Sequence, residues 1–251
     1  MLAAGIGNRL SKDRPEPPKV LLRFAGRTLL ERHIANLRRE GIAELVVGVG
    51  YEADMVAAEI KRLGAEGFVR TVHNPDYRDG SGITLATLEA DFACGRDVLL
   101  MDGDVLYDWR LMQRLTQSHR ANCLLMDRNI EPGEEPVKLC IAANRIVDFH
   151  KRPTIDHEFH GESVGFFRLS AGIGAALLTG AAEYVASGRH DQEYEEPLRD
   201  LILASAPDVF GYEDITGLPW AEIDFPLDVA RARKRVVPRL TEMAATAAGA
   251  G

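Results

Sequence analysis

The stretch Leu2-Ala3-Ala4-Gly5-Ile6-Gly7-Asn8-Arg9-Leu10, followed by Lys19 within Pro17-Pro18-Lys19, decides how this chain is read. Leu2-Ala3-Ala4 feeds a glycine turn the way the C-terminal end of a buried strand does, and at that edge open α/β sheets bind their ligands. Small residues and two glycines let a backbone approach a ligand closely, and Arg9 and Lys19 bring two positive charges to the same loop. Backbone amides with two cations suit a polyphosphate. The same residues also fit an ordinary turn with solvated charges. Leu10 stands where a dinucleotide fingerprint has its third glycine, and no Gly-Lys-Ser/Thr follows, so the loop is neither a Rossmann fingerprint nor a Walker loop.

A chain of 251 residues holds one large α/β domain or two small ones and buries a substantial core. Its 46% hydrophobic and 27% charged residues are the composition of a soluble globular protein. The net charge of -8 argues against a broad nucleic-acid-binding face and leaves room for a local basic pocket. Cys94, Cys123 and Cys140, widely spaced in apolar contexts, read as buried thiols of a reducing compartment, without metal-ligand spacing. No apolar run approaches membrane-spanning length and no signal peptide precedes Leu2. A cytoplasmic protein with neither membrane nor nucleic-acid partner is therefore expected.

Outward from the opening loop, strand and helix patterns alternate. Val20-Leu21-Leu22 reads as a short extended piece. Leu29, Leu30, His33, Ile34 and Leu37 recur at helical spacing over 28–39, with Gly41 as the stop. Strands are expected at 44–49, 68–73 and 97–101, helices at 53–63 and 83–92, and a loop over 74–82. This order argues for a parallel sheet with helices on both faces. After Asp104 the pattern changes. A strand at 122–127 precedes a hairpin of Val137–Ile141 and Arg145–Phe149 across Ala143-Asn144, then a strand at 163–169. Helices at 171–186 and 194–204, strands near 209–212 and 220–223, and a helix opened by Pro226 complete the chain. The Ala/Gly-rich tail 244–251 is expected to fray. With no repeat and no long linker, one domain results: a nucleotide half over about 1–120 and a more β-rich acceptor half over about 121–240.

Two acidic strand ends carry the rest of the chemistry. The strand Asp97–Met101 runs into Asp102-Gly103-Asp104, and Trp220-Ala221-Glu222-Ile223-Asp224 places Asp224 just before the proline-started helix. Paired carboxylates at a strand end are costly unless they meet cations, and Mg²⁺ is the usual partner where phosphates share the site. A solvated turn at 102–104 and a helix-capping role for Asp224 are the plainer alternatives.

Together these residues resemble the nucleotidyltransferases that make sugar nucleotides and CDP-alcohols. The opening loop with Pro18-Lys19 resembles the family signature, and Asp102-Gly103-Asp104 its metal-binding strand end. His150-Lys151-Arg152-Pro153 resembles its Glu-Lys-Pro segment, Gly161–Phe167 its acceptor-pocket strand, and Trp220–Asp224 the segment with the second metal aspartate. Tyr194-Glu195-Glu196 with Leu198–Leu201 and Trp-x-Glu-Ile-Asp are most similar to the phosphocholine cytidylyltransferase-like branch. The resemblance implies a Rossmann-like three-layer α/β/α fold with a mainly parallel mixed sheet, of GT-A-like type. It implies a nucleotidyltransferase that uses Mg²⁺, a nucleoside triphosphate (CTP favoured) and a small phosphate or phosphonate acceptor such as phosphocholine, aminoethylphosphonate or inositol phosphate, and it leaves a homodimer open.

The site residues it implies are these. Leu2, Ala3, Ala4, Gly5, Gly7, Asn8, Arg9, Lys19, Ser81, Gly82 and Asp102 meet the nucleotide. Arg9, Lys19 and Lys151 neutralise phosphate charge. Asp104 and Asp224 hold the metal, with Asp102 accessory. Lys151, Glu162, Gly165, Tyr194, Glu195 and Trp220 meet the acceptor, where carboxylates and aromatic faces suit a cationic head group. His157 and His160 are expected in a polar surface loop. The family normally has several apolar residues before Leu-Ala-Ala-Gly, so the first strand is expected to be clipped or to start upstream of Met1. His150 replaces the usual glutamate, and 80–84 lacks the Asn-Asn pair common in the phosphocholine branch. A sugar-1-phosphate nucleotidyltransferase, a glycosyltransferase using a nucleotide sugar, and a silent nucleotide-sensing subunit are the competing readings.

Overall fold

Apolar residues alternate along the strands, and that alternation builds two cores. In β8 (Asn122–Asp127), Cys123 and Leu125 face one core while Leu124 and Met126 face the other. A computed structural model gives the architecture, with residues 1–7, 9–10, 16–93, 95–130 and 135–240 described. The elements preceding β8 are β1 (Leu2–Ala3), β2 (Arg23–Phe24), β3 (Arg27–Thr28), α1 (Leu29–Arg39), β4 (Leu45–Val49), α2 (Ala53–Arg62), β5 (Val69–His73), α3 (Ser81–Ala86), α4 (Glu89–Phe92), β6 (Val98–Met101), β7 (Val105–Tyr107) and α5 (Trp109–Thr116). After β8 come β9 (Lys138–Ala142), β10 (Arg145–His150), β11 (Phe159–Leu169), α6 (Ala171–Ala186), α7 (Glu195–Ala204), β12 (Phe210–Asp214), β13 (Trp220–Glu222) and α8 (Pro226–Arg231). A π-helical turn over Ala232–Val236 continues α8.

β5, β4 and β1 pair in parallel, and a parallel bridge between Leu2 and Asp102 joins β1 to β6. β11 runs antiparallel to both β6 and β8, and β12 pairs parallel with β8. β9 pairs antiparallel with both β11 and β10, so the result is a mainly parallel mixed sheet in which β11 and the edge strand β10 are reversed. α1, α2 and α5 contribute to the core on one face, and α3, α4, α6 and α7 to that on the other. The three-layer α/β/α architecture expected from the sequence is therefore present. A smaller core of Leu10, Phe24, Leu29, Leu106, Ile223, Ala232 and Val236 seats the C-terminal helical segment beneath the opening loop.

Local chemistry explains several boundaries. Thr28 caps α1 by accepting from the Glu31 N–H at 3.1 Å, and Gly41 follows it with φ of 73°. Ala143 and Asn144 both take positive φ, as a two-residue hairpin turn requires. Other segments differ from the sequence reading. Lys19–Leu21 is a 3₁₀ turn, not an extended piece, closed by Leu21 N–H to Pro18 O at 2.8 Å. The single helix expected over 83–92 is two short helices parted near Thr87 and Leu88. β11 begins at Phe159, so His160 belongs to a strand, half-buried opposite Cys140, and His157 bonds to it at 2.8 Å. β7 and α5 have no counterpart in the sequence reading. No helix among the described residues is long and apolar enough to cross a membrane.

Candidate active site

The antiparallel pair of β7 and β13 builds the centre of the site. Trp220, Ala221 and Glu222 pair antiparallel with Tyr107, Leu106 and Val105. Ile223 N–H then donates to Asp104 O at 3.1 Å. That register sets Asp104 beside the end of β13, from which Glu222 and Asp224 project at the two-residue spacing of one strand face. One oxygen each from Asp104, Glu222 and Asp224 lies within 4.8 Å of the others, the only such group of three or more His, Cys, Asp or Glu residues among the described residues. The capping alternative for Asp224 does not hold. Asp228 takes that role, accepting from Phe225 N–H at 2.7 Å and Asp224 N–H at 3.1 Å, and the Asp224 carboxylate faces the cleft.

Cations converge on this cluster. Lys19 Nζ donates to Asp104 Oδ2 at 2.8 Å and also to Asp224 Oδ1. Arg9 Nη1 reaches Asp224 Oδ2 at 3.0 Å and Glu135 at 3.5 Å, and Lys151 Nζ reaches the same Glu135 carboxylate at 3.5 Å. Burial opposes the charge on Lys19, but Asp104 and Asp224 overcome it and hold its pKa above the usual value. Burial likewise pushes Asp224 up, and Lys19 and then Arg9 bring it below the ordinary carboxylate range. Glu222 is open to solvent by surface area yet enclosed by the cleft walls. Desolvation, then Asp104 and Asp224, raise its pKa well above the usual value.

Two cavities meet here. One, of about 390 Å³, is lined by Leu2, Ala3, Ala4, Gly5, Ile6 and Gly7, by Arg9 and Lys19, and by Tyr77, Arg78 and Ser81 on the opposite wall. The other, of about 540 Å³, is lined by Asp127, Glu162, Gly165 and Trp220 among others. Asp102, Lys151, Tyr194, Glu195, Glu222 and Asp224 line both, so they form the junction.

Tight backbone packing holds that junction. Tyr194 Oη donates to Asp102 Oδ2 at 2.7 Å. Gly165, with φ of 75°, leaves the space Asp102 fills, since a Cβ there would sit 2.1 Å from Asp102 Oδ2. Burial, then Glu195 and Asp104, raise Asp102 well above the usual range. Glu195 is pushed up to about 7 by burial and Glu193, and its Oε2 is buried without a hydrogen-bond partner. The segment before α7 is docked by Gly80 N–H to His190 O at 2.7 Å and Tyr194 N–H to Ser81 Oγ at 2.9 Å. In the larger cavity, Trp220 Nε1 donates to Asp127 Oδ2 at 2.8 Å.

Almost every residue singled out in the sequence thus lines one of the two cavities. Gly82 does not. It is buried behind the wall, its N–H on Gln192 O at 3.3 Å, and it is not among the residues lining either cavity. Asn8 lies outside the described residues. Sequence reasoning missed Glu222, Tyr77, Arg78, Asp127 and Glu135. Glu222 was findable, because it shares a strand face with Asp224.

Residues 1–157 match the family model described as MobA-like NTP transferase domain. A Rubrobacter xylanophilus protein named bifunctional IPC transferase and DIPP synthase is 33% identical over 244 residues, 94% of this chain and 51% of the relative. The CMP-5'-(3-aminopropyl)phosphonate synthase of Streptomyces rubellomurinus is 26% identical over 242 residues, 95% of this chain and 38% of the relative. The chain therefore spans about half the length of these curated relatives, or less. The inositol-1-phosphate CTP transferase of T. maritima has the same fold, with a TM-score of 0.73 at 22% identity over 96% of this chain and 94% of that one. CTP:phosphocholine cytidylyltransferase from Streptococcus pneumoniae superposes with a TM-score of 0.72 at 19% identity, covering 93% of this chain and 96% of that one.

Proposed function

The chain belongs to the MobA-like NTP transferase domain family, the nucleotidyltransferase kind of enzyme, and from that premise we propose that it transfers CMP from CTP to a small phosphorylated or phosphonate acceptor, releasing pyrophosphate. The observation that carries the proposal is the meeting of two cavities at one set of carboxylates and cations. The smaller cavity takes the nucleotide against the amides of the opening loop, and the larger takes the acceptor. The cytidylyl transfer named for several relatives supports CTP over other triphosphates.

The reaction needs no general base, because a phosphate or phosphonate oxygen is already anionic at neutral pH. That oxygen attacks the α-phosphorus, the new P–O bond forms, the bond to the β-phosphate oxygen breaks, and pyrophosphate carries away the electron pair. What the protein must supply is alignment and charge neutralisation. Arg9 and Lys19 exchange their carboxylate partners for triphosphate oxygens, and Lys151 at the junction pairs with the acceptor anion. Asp104, Glu222 and Asp224 fit a hard divalent cation: their donors are all oxygen, and the Lys19 ammonium already lies between two of them as a resident positive charge. A Mg²⁺ held there supplies neutralisation of the phosphate charge that builds up in transfer. Asp102, held by Tyr194, is an accessory wall of the junction rather than a member of that group.

The lining of the larger cavity favours an acceptor that also carries an amine. Glu162 and Asp127 stand opposite each other on β11 and β8, with Trp220 beside them and Glu195 at the junction. The test is a matrix of four triphosphates against phosphocholine, aminoethylphosphonate, inositol phosphate and sugar phosphates, read by pyrophosphate release with Mg²⁺. CTP with an amine-bearing acceptor should give the highest kcat/KM. Equal or faster turnover of sugar phosphates would transfer the proposal to sugar-nucleotide synthesis.

A further inference from the structure

His33 sits in the apolar stripe of α1, among Leu29, Leu30, Ile34 and Leu37, and has no exposed surface. Leucine would fill such a position without polar atoms to satisfy. Here Nε2 lies 3.1 Å from the carbonyl oxygen of Gly103, while Nδ1 has no hydrogen-bond partner. A carbonyl only accepts, so the ring proton is on Nε2. Burial lowers the His33 pKa to about 4, which keeps the ring neutral with that single N–H. Tyr107 holds the ring from one side at 5.4 Å between centroids, and Phe166 packs edge-on against Tyr107 at 4.7 Å.

The Gly103 peptide is gripped from two directions. Its N–H donates to Leu2 O at 2.9 Å, and a side chain at 103 would meet that oxygen at 2.9 Å and the Ala3 Cβ at 3.1 Å. Its carbonyl belongs to the same planar peptide unit as the Asp104 N–H, so the direction of that carbonyl fixes where the Asp104 Cα and carboxylate start. We propose that His33 is a positioning residue for the carboxylate cluster: its hydrogen bond to Gly103 O orients the peptide from which Asp104 reaches Glu222, Asp224 and a divalent cation. The inference rests on the metal reading given above.

The test uses the full chain with Mn²⁺ as probe, its binding measured by electron paramagnetic resonance, together with amide hydrogen exchange over 102–105. H33L should weaken Mn²⁺ binding about tenfold or more and speed exchange at Asp104. H33Q, whose longer amide keeps an N–H within reach of Gly103 O, should restore both. Unchanged Mn²⁺ binding in H33L overturns the proposal, as does a folded H33Q that binds as poorly as H33L. If H33L does not fold, H33Q is compared with the shorter H33N, and equal binding by those two overturns it. Absence of Mn²⁺ binding in the wild type, or its persistence in a protein carrying both D104N and D224N, overturns the metal reading and this inference with it. That result is distinct, since it involves no change at His33.

Discussion

Replacing Glu162 by glutamine should stabilise the protein, and only above a definable pH. Glu162 and Asp127 face each other across β11 and β8 and are only 6% and 7% exposed. Burial, then the Asp127 carboxylate, push Glu162 from its usual 4.5 up to about 7, with Lys138 pulling in the opposite direction. Below pH 4.5 the group is protonated in both folded and unfolded chains and contributes nothing to the pH dependence. Between 4.5 and 7 the folded state keeps a proton that the unfolded state releases, so stability falls as pH rises. Above 7 both states are ionised and the loss levels off. Each pH unit across that window costs at most about 1.4 kcal/mol, which sets a ceiling of about 3 kcal/mol on the loss. Glutamine keeps the shape and removes the charge. Urea unfolding followed by circular dichroism should therefore give equal stabilities at pH 4 and an advantage of up to about 3 kcal/mol for Glu162→Gln at pH 8. An advantage of the same size at both pH values, or none at pH 8, would refute the assignment of a strained carboxylate pair.

Other perturbations read other parts of the site. Asp104→Asn and Asp224→Asn should each lower turnover by at least about 100-fold while leaving circular dichroism unchanged, and full activity in either would sink the metal assignment. Gly165→Ala forces a side chain onto a φ of 75°, with its Cβ 2.1 Å from Asp102 Oδ2. The left-handed conformation alone costs about 1–2 kcal/mol, so a melting temperature lower by roughly 4 °C or more is expected, and an unchanged one contradicts the packing described. Trp220→Phe leaves Asp127 without its 2.8 Å indole donor. It should cost about 1–3 kcal/mol in urea unfolding and raise KM for the acceptor more than for CTP, and the reverse order of KM effects would place Trp220 in the wrong cavity.

Periodicity made much of the sheet and its helices legible. The α1 stripe, the β4 run and the Ala143-Asn144 hairpin each carry a local signal strong enough to survive tertiary packing. The misses have physical causes. Leu85, Leu88 and Phe92 continue an apolar pattern across the break between α3 and α4, and hydropathy alone does not register such a break; Thr87 Oγ1 donates to Thr84 O there. β7 is three residues directly after an Asp-Gly-Asp turn, too short to show alternation, and its pairing with β13 spans over a hundred positions of sequence. That same pairing gathers Asp104, Glu222 and Asp224; the two aspartates were visible as strand ends, and the signal for their third companion was its two-residue spacing from Asp224. Tyr77, Arg78 and Glu135 come from irregular segments, where no periodicity points a side chain anywhere. Their place in the site is a matter of long-range packing.

The most direct test of the central claim is a phosphorus NMR record of the protein incubated with CTP, Mg²⁺ and aminoethylphosphonate. The three triphosphate signals should give way to pyrophosphate and to a coupled pair from the new P–O–P link between the CMP phosphorus and the phosphonate. An unchanged spectrum with this and every other phosphorylated acceptor, or conversion of CTP to CDP and inorganic phosphate, would contradict it.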